Sequence, residues 1–503
     1  MAQQFKAIRE YDFSKGYADK YKAELLPKGY CADALNCWLD GQYIKKRYGY
    51  SLAGNDPSVA KPVLNLEATR PGGTEYLHRV HDNAGGTYSV VEYWAGTGNW
   101  TTVTDGDEQT AGKDHWFVTA NNVLYIGNDT DTCLKSTNGT TSADLVGMPA
   151  GVDARWFHNY FFVVTAAGRL YWSSLNDPET FGGADYIDVN PNDGDVVIGL
   201  AILKDELLIC KRNRIWSLTG FGASDFTVAD LGERLTGQGP QSRKSIVELP
   251  NDVLFVSYVG QTPHIRSIQR TREGYMVAGE VISDPIEGTM DGLATTYLNK
   301  SAGVFDGKRI WFAVTSSGTY NNLCIVYDTI AKGWTRHTGI NASCFAVSRV
   351  SGTEKIYFGE ASADTLTYVM DESTSDNGTA INMEFESPMY SPVPEAKCKW
   401  KYLYVVADVE SGSSFDVQYS QDGYAFNDLK TITMTGDGGI LPATFPFRFG
   451  TPSIIRHRID NAGGTSYRIQ YKFVNNTDDE TPIIREYQLL FKPRGLRAVA
   501  EGE

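Results

Sequence analysis

The sequence contains no run of uncharged apolar residues that approaches the roughly 18 needed to cross a bilayer. Its first 30 residues also lack the basic start and the continuous apolar core of a secretory signal. We therefore expect a protein that is made in a cytoplasm and has no membrane-spanning segment. Cysteine is scarce, with 7 among 503 residues, and the only short metal-type spacing joins Cys31 and Cys37. This pattern predicts reduced, structural thiols rather than a disulfide framework.

The usual sequence signatures of catalysis and cofactor binding are also absent. There is no glycine-rich phosphate loop, no zinc-type pair of histidines and no nucleophile elbow. His78 and His81 are three residues apart, and on a strand they would face opposite sides of the sheet. We therefore predict no catalytic, cofactor-binding or metal-binding residue, and a protein that is not an enzyme.

Positive charge is under-represented in the first part of the chain. The formal net charge is −15, and residues 1–390 hold 33 Lys and Arg against 47 Asp and Glu, whereas residues 391–503 hold 13 against 14. Binding of nucleic acid through its phosphates needs clustered cations and counterion release. We expect such a surface to repel DNA, although the same charge also fits a general solubility role.

Sustained helical periodicity is missing as well, and short apolar runs bounded by Gly, Asn, Asp and Pro occur throughout. With 50 Gly, 29 Tyr and 10 Trp, the composition favours strands and turns. This pattern predicts an all-β protein. The one candidate helix spans residues 17–26 and would be stopped by Pro27 and Gly29.

An aromatic or aliphatic strand core recurs along the chain with a spacing near 46 residues. A period of 40–50 residues with several strands in each unit is typical of a β-propeller, because radial stacking buries apolar faces that one blade cannot cover alone. The spacing predicts about seven blades within residues 36–390. The markers of the repeat are Tyr76, Tyr125, Tyr171, Ile209, Phe255, Trp311 and Tyr357.

The end of the chain has a different character. Residues 387–394 contain three prolines and indicate a linker or crossing strand. Beyond it, residues 391–503 alternate apolar and polar residues in the manner of a two-sheet β-sandwich. Residues 1–35 form a polar N-terminal arm punctuated by Pro and Gly, which we expect to order only against a neighbouring subunit.

Two turn patterns suggest more specific functions. Residues 128–132 (NDTDT) and 190–195 (NPNDGD) place carboxylates two residues apart, as calcium loops do, but turns that need Asp and Gly for their backbone look the same. Residues 174–181 share a Ser, an Asp and a Thr-Phe end with the Ser-X-Asp-X-Gly-X-Thr-Trp turn of sialidase-type propellers. Asp177 comes one position late and the Gly is absent. The alternative interpretation is a turn in which Asp177 and Pro178 set the backbone and Phe181 returns to the blade core.

Several segments together resemble one family. Residues 170–181 (LYWSSLNDPETF), 193–201 (DGDVVIGLA) and 206–220 (ELLICKRNRIWSLTG) look like the central blades of bacteriophage virion proteins of the tail-hub or nozzle type. Residues 36–49 (NCWLDGQYIKKRYG), with an Asp-Gly turn and a Lys-Arg-X-Gly end, resemble the first strand of that group. Residues 485–497 (REYQLLFKPRGLR) resemble its end, so that the resemblance covers nearly the whole chain.

The resemblance implies a tail tubular or head-stabilising protein that lies in the virion below the portal and adaptor. Several copies, most commonly six, would form a homo-oligomeric ring around the channel through which DNA leaves, without binding it specifically. Such a ring stabilises the packaged head and offers docking surfaces for tail fibres or a needle. No catalytic or cofactor residue is implied. The inserted domains of larger nozzle proteins are absent here, so the hub, nozzle and plug positions all stay open.

Two other classes compete with this interpretation. A glycan-binding or glycan-degrading propeller, such as a tail-associated depolymerase, would need two carboxylates opposed across the sugar, and no feature selects two of the many acids. A cellular propeller scaffold would carry a regular Trp-Asp dipeptide or paired glycines in each blade, and the sequence lacks both.

Overall fold

The chain folds into two compact units. A computed structural model describes residues 5–39, 43–54, 59–104, 108–231, 238–270, 276–362, 364–393, 396–408, 413–434 and 454–494. Ser51–Ile325 and Gly339–Asp371 form one unit, called here the propeller unit. Met1–Tyr50, Val326–Thr338 and Glu372–Glu503 form the other, called the flanking unit.

The propeller unit is built from small antiparallel sheets whose strands follow one another along the chain, which is the topology of propeller blades. Sheets 1 to 5 are separate. Sheet 1 contains Val63–Thr69, Tyr76–Asp82, Tyr88–Trp94, Thr101–Thr102 and Gln109–Thr110; sheet 2 contains Trp116–Ala120, Val123–Gly127, Cys133–Ser136 and Ala143–Leu145; sheet 3 contains Asp153–Phe157, Tyr160–Val164, Arg169–Ser174 and Asp177–Asp188; sheet 4 contains Val197–Leu203, Glu206–Lys211, Ile215–Thr219 and Thr227–Asp230; and sheet 5 contains Val247–Leu249, Asp252–Val259, Thr262–Arg270 and Met276–Val281.

Two further groups of strands complete the unit. Sheet 6 contains Ala302–Phe305, Arg309–Val314 and Leu323–Asp328; sheet 7 contains Ala342–Ser348, Lys355–Glu360 and Thr367–Met370. The strand Tyr50–Leu52 lies beside Thr367–Met370, and the Ala53 N–H donates to the Thr367 carbonyl at 2.8 Å. Residues from the start of the propeller unit thus complete the sheet formed at its end.

Short turns with left-handed residues set the register of these hairpins. Asn121 and Asn122 join the first two strands of sheet 2 with φ of 50° and 63°, and His158 and Asn159 do the same in sheet 3 with 48° and 64°. Positive φ at both central positions defines the type I′ turn, whose twist matches that of paired strands and for which Asn is well suited. The strand that follows in sheet 3, Tyr160–Val164, is buried at every position.

Neighbouring sheets pack through apolar side chains. Phe117 of sheet 2 lies in one cluster with Val80 of sheet 1, and sheets 3 and 4 share a cluster that contains Trp172 and Leu207. The ring is closed where sheet 7 packs on sheet 1, with the rings of Trp94 and Tyr357 6.0 Å apart. The first strands of neighbouring sheets contact one another, so these strands surround the axis of the ring.

A buried ion pair lies at this seam between sheets 1 and 7. Arg79 is paired with Glu92 at 2.7 Å, and its guanidinium also donates to the Thr365 carbonyl and the Thr367 hydroxyl, both at 3.1 Å. The same guanidinium lies 4.1 Å from the centre of the Trp100 ring. Because both charges are buried and bonded, removal of either would leave the other without compensation.

The all-β propeller fold expected from the sequence is therefore confirmed. Six of the seven repeat markers lie on the second strand of their sheet, but Tyr171 lies on the third strand of sheet 3. The count of about seven blades stays a prediction, because sheet 6 contributes only three strands to this unit.

Helical structure is limited to short segments between strands. The described residues contain one α-helix, Glu287–Asp291, and the 3-10 turns Pro71–Gly73, Arg243–Ser245, Asp284–Ile286 and Thr295–Lys300. The predicted helix over residues 17–26 is wrong, since the segment contains the end of the strand Gly16–Tyr17 followed by bends and turns. Among the described residues, no helix is long and apolar enough to span a membrane.

The flanking unit contains two larger sheets. Sheet A holds Lys6–Glu10, Cys37–Leu39, Ile44–Lys46, Cys398–Asp408, Ile454–Asp460, Thr465–Ser466 and Ile483–Pro493; sheet B holds Gly16–Tyr17, Tyr30–Cys31, Asp33–Leu35, Gly333–Thr338, Met383–Glu386, Ser414–Gln421, Asn427–Thr433 and Ile469–Asn475. Ser375–Asp376 and Thr379–Ala380 form a short hairpin. Phe473 of sheet B and Tyr487 of sheet A have ring centres 5.4 Å apart, and Phe13 contacts Tyr487 at 6.0 Å.

The division of the chain differs from the one predicted at 1–35, 36–390 and 391–503. The strand Lys6–Glu10 pairs in register with Ile483–Pro493, and Phe13, Tyr17 and Ala18 are buried. The described part of the N-terminal arm is therefore ordered within its own chain, and the expectation that it orders only against a neighbouring subunit is wrong for these residues. Pairing of strands far apart in sequence assigns the segment to the same unit as the C-terminal region.

Substitution of Trp172 tests the packing of sheets 3 and 4. Trp172 is 8% exposed, and its ring meets that of Phe226 at 5.3 Å in an edge-to-face arrangement. Its indole N–H has no partner among the described residues, so Trp172→Phe removes no hydrogen bond. We expect Trp172→Ala to lower the free energy of unfolding by about 3–5 kcal/mol and Trp172→Phe to lower it much less. Equal losses in urea titrations of the two variants would contradict this account.

Candidate functional site

The segment at residues 174–181 forms the tip of a hairpin and the start of its second strand. Leu175 and Asn176 form its tip, with φ of 58° at Asn176, and the strand Asp177–Asp188 begins directly afterwards. Asp177 accepts from the Glu179 N–H at 3.1 Å, and bonding from Thr180 and that N–H lowers the pKa of its carboxyl group. Phe181 does not close a turn but pairs with Ser173, and it packs against the cluster between sheets 2 and 3.

The first acidic turn uses its oxygen atoms within the protein. Asn128 Oδ1 accepts from the N–H groups of Thr130 and Asp131 at 2.8 and 2.7 Å, and the Asp131 carboxylate accepts from the Thr110 N–H at 2.7 Å. Asp129 pairs with Lys113 at 2.9 Å. These contacts are those of a turn stabilised by its own side chains.

The second acidic turn is similar. Asp193 Oδ2 accepts from Lys211 Nζ at 2.8 Å and from Asn190 Nδ2 at 3.0 Å, while Asp195 accepts from the Asn213 N–H at 3.0 Å. No cluster of three or more potential metal ligands occurs among the described residues. The absence of catalytic, cofactor and metal residues stays a prediction.

Two of the seven histidines, His78 and His81, are buried on one strand of sheet 1. His78 is fully buried, with Nδ1 2.8 Å from the Thr69 hydroxyl and Nε2 2.8 Å from the Gly139 carbonyl. His81, on the same strand, lies 3.3 Å from the Glu92 carboxylate. Burial lowers the pKa of His78 to about 4, because the charged imidazolium loses its hydration there.

The neutral state of His78 predicts a pH dependence of stability. Its folded pKa lies below the unfolded value near 6.5, so its contribution is complete above that value and is lost as pH falls towards 4. Between pH 7 and pH 4 we expect the wild type to lose about 3 kcal/mol of unfolding free energy relative to His78→Gln. Urea unfolding of both proteins at each pH measures the difference, and parallel profiles would refute it.

The motif at residues 36–49 forms a buried lock in the flanking unit. Arg47 is fully buried and pairs with both carboxylate oxygens of Asp376, at 2.7 and 2.5 Å. Its remaining N–H groups donate to Asn36 Oδ1 at 2.9 Å and to the carbonyls of Tyr48 and Thr338 at 2.9 and 2.8 Å. Arg47 therefore uses all five of its donors and joins the three chain segments of this unit.

Other residues of the motif are also restricted by their backbone conformation, by close contacts or by burial. Asn36 has a φ of 53° and donates to the Asn382 carbonyl at 2.7 Å. A Cβ atom at Gly49 would lie 1.9 Å from the Ser375 carbonyl oxygen, so only glycine fits that close approach. Lys46 is buried beside Asn475, and burial lowers its pKa to about 8. The Lys-Arg-X-Gly end thus has a structural role that the sequence alone did not reveal.

Removal of the Arg47 guanidinium should lower the stability of the flanking unit. Arg47→Met leaves the buried Asp376 carboxylate without its partner, and we expect a loss of about 3–5 kcal/mol in the free energy of unfolding. The double substitution Arg47→Met with Asp376→Leu should recover most of that loss, because neither charge then remains. Arg349→Met is the matched control, since the Arg349–Glu354 pair is exposed and worth less than about 1 kcal/mol. Equal effects of Arg47→Met and Arg349→Met in urea unfolding would show that Arg47 is not a lock.

The charged region at the axis of the propeller unit is the main site that sequence reasoning missed. The side chain of Glu67, on the first strand of sheet 1, is exposed by surface area, yet the protein around it removes part of the hydration of its carboxylate. This desolvation raises its pKa to about 7 against the opposing effects of Arg155 and Arg243. Asp153, fully buried, accepts from Arg155 at 3.0 Å and lies 3.9 Å from Arg243. Acidic and basic groups thus alternate around the axis.

A cavity of about 480 Å³ opens at the end of the ring where the first strands begin. We call it the axial cavity. Its charged lining consists of Lys113, Asp114, Asp129, Arg212, Arg243, Lys244 and Lys300. Lys244 and Lys300 also line a second cavity of about 540 Å³, beside Leu64 and Tyr320. The adjacent basic pairs Arg243-Lys244 and Lys211-Arg212 are local signals in the sequence, but the convergence of Arg212 with Arg243 and Lys244 on one cavity is not, because they come from separate sheets.

Comparisons with known proteins report similarity in structure alone. No family model matches the chain, and no curated protein matches it. Similar solved chains include one from the mitotic checkpoint complex, with 12% identity and a TM-score of 0.42, covering 62% of this chain and 92% of that one. The Pan2 WD40 domain of Neurospora crassa has 9% identity and a TM-score of 0.41, covering 64% and 95%. The N-terminal domain of Nup159 has 11% identity and a TM-score of 0.39, covering 64% and 95%.

Similarity at this level carries no argument about function. The propeller assignment depends on the sheets described above, and the β-sandwich interpretation of residues 391–503 stays a prediction.

Proposed function

We propose that the protein is a structural component of a tailed bacteriophage virion. It forms part of the tail nozzle or hub below the portal and adaptor, where copies of it, commonly six in the family that it resembles, surround the channel through which DNA is ejected. In this role it stabilises the packaged head and performs no catalysis. Its place is the virion tail, after synthesis in the host cytoplasm.

The observation that carries the proposal is that the two terminal motifs of the resemblance lie on paired strands of one sheet. Residues 36–49 and 485–497 are more than 400 positions apart in the sequence. In sheet A, the strand Ile44–Lys46 of the first motif pairs with the strand Ile483–Pro493, which contains the first part of the second motif. The register partners are Ile44 with Ile484 and Lys45 with Ile483, immediately before that motif. Segments that resemble one family at opposite ends of the chain thus form one structural element, as a shared architecture requires.

The lock and the blade motifs support the same proposal. Residues 170–181 and 206–220 form strands of sheets 3 and 4, and Arg47 joins the segments of the flanking unit. A virion component must keep its shape under load, and a fully bonded buried arginine opposes separation of the segments that it joins. The strongly acidic composition supports passage of DNA without adhesion, because like charges repel.

Exposed apolar side chains on the N-terminal segment offer a surface for contact between copies. Tyr11, Tyr21 and Leu25 are 51%, 45% and 69% exposed. Exposed large apolar side chains favour association, because burial in a contact removes them from water. We propose that this segment contributes to the contact between subunits.

Assembly state with and without purified portal rings tests the function. Native mass spectrometry should show a ring, six-fold by expectation, or a ring that forms on the portal. A protein that stays monomeric under both conditions would overturn the proposal. Release of reducing sugar from bacterial surface glycans, abolished by one acidic substitution, would instead support the glycan-degrading alternative.

Two matched substitutions test the contact surface. Leu25→Asp should reduce the fraction of assembled protein, because it places a charge in the proposed contact. Leu175→Asp introduces the same change at an exposed hairpin tip of the propeller unit, where Leu175 is 54% exposed, and should leave assembly unchanged. Assembly that is equally sensitive to both variants, or to neither, would exclude a specific contribution of the N-terminal segment.

A further inference from the structure

The axial cavity has a positive lining in a protein of strongly negative net charge. Two carboxylates line it, and both are already paired, Asp114 with Lys244 at 3.3 Å and Asp129 with Lys113 at 2.9 Å. Burial opposes the charged form of Asp114, but Lys244 and Arg243 outweigh it and hold the pKa of that carboxyl group below its ordinary value. Three further cations therefore remain around the cavity.

Among the described residues, Arg212 and Lys300 have no carboxylate within salt-bridge distance, and Arg243 has one at the limit of that distance. Lys300 Nζ donates to the Thr319 carbonyl at 2.6 Å, which leaves its charge uncompensated. The nearest carboxylate to Arg243 is Asp153 at 3.9 Å, and that carboxylate already accepts from Arg155. Within the described part of the chain, Arg212 is exposed and makes no ion pair. The cavity is consequently suited to a group with more than one negative charge.

Buried donors without partners provide independent evidence of a ligand. Ser242 is 3% exposed and lines the cavity, and its hydroxyl has no hydrogen-bond partner among the described residues. The adjacent Arg243 Nε is also buried without a partner, while its Nη2 is held by the His115 carbonyl at 2.7 Å. An unpaired buried donor costs about 1–3 kcal/mol, so two neighbouring donors in one cavity indicate that an acceptor belongs there.

We propose that the axial cavity binds a small phosphate-bearing ligand. Its phosphate oxygens accept from the Ser242 hydroxyl and Arg243 Nε, and Arg212 and Lys300 balance the charge of the dianion. The volume of about 480 Å³ exceeds that of inorganic phosphate and is typical of cavities that enclose a small organic molecule. The site lies wholly within the propeller unit and is independent of the proposed virion function.

Isothermal titration of the full-length protein with inorganic phosphate tests this proposal. Ionic strength is matched with sodium chloride, because exposed cations also bind anions weakly and without saturation. We expect saturable binding with one phosphate per chain. Heat that does not saturate, or that chloride reproduces at equal ionic strength, would overturn the proposal.

Three variants locate the site. Ser242→Ala removes a hydroxyl that has no protein partner, and Arg212→Gln removes an unpaired charge, so both should fold normally and each should weaken phosphate binding about ten-fold. Lys204→Gln is the control, because it removes one positive charge at the opposite end of the first strand of sheet 4 and should not change the affinity. Equal affinity of Ser242→Ala, Arg212→Gln and wild type would place phosphate elsewhere and overturn the assignment. A phosphorylated sugar that binds more tightly than inorganic phosphate, with the same dependence on Ser242, would support an organic ligand.

Discussion

The flanking unit depends on one guanidinium group. Its three segments are separated in sequence by the whole propeller unit, so local turns cannot hold them together. Arg47 bonds to Asn36 in the first segment, to the Thr338 carbonyl in the second and to Asp376 in the third. A buried arginine is stable only when every donor is bonded and its charge is compensated, so this side chain, together with strand pairing between the same segments, fixes the relative positions of three distant backbones.

The residues that follow the lock begin the propeller unit and also complete its last sheet. Gly49 is fixed against the Ser375 carbonyl, and four residues later the Ala53 N–H donates to Thr367. The Ala53 carbonyl then accepts from the Trp100 indole N–H at 2.7 Å, on the first sheet. Because residues from the start of the propeller unit complete the sheet formed last, the two ends of the ring close through backbone hydrogen bonds as well as through side-chain packing.

Local patterns predicted the class of the fold but not its long-range pairings. The strand cores and the Asn-containing turns are local features, so the propeller repeat could be read from them. Tyr171 was assigned as a marker equivalent to the others because the third strand of sheet 3 (RLYWSS) has the same apolar pattern as the second strands elsewhere. The pairing of Lys45 with Ile483 and the convergence of Arg47 on Thr338 join segments hundreds of residues apart, and no local periodicity encodes such contacts. The packed N-terminal segment was missed for the same reason, since Phe13 is buried by rings from Phe385 and Tyr487.

The net charge of this protein predicts repulsion of anions, whereas the local charge at the axial cavity predicts binding of a small anion. The two predictions are compatible. The excess of acidic residues sets the potential far from the surface, where individual positions average out and a polyanion is repelled. At the axial cavity, closure of the ring brings Arg212, Arg243 and Lys300 together from separate sheets, and the low polarity of the surrounding protein strengthens their effect at short range. A large polyanion interacts with the average charge of the whole protein, whereas a small anion inside the cavity interacts mainly with the charged side chains nearest to it. An acidic surface that repels DNA is therefore compatible with a phosphate site in the same unit, because the two ligands sample the charge over different distances.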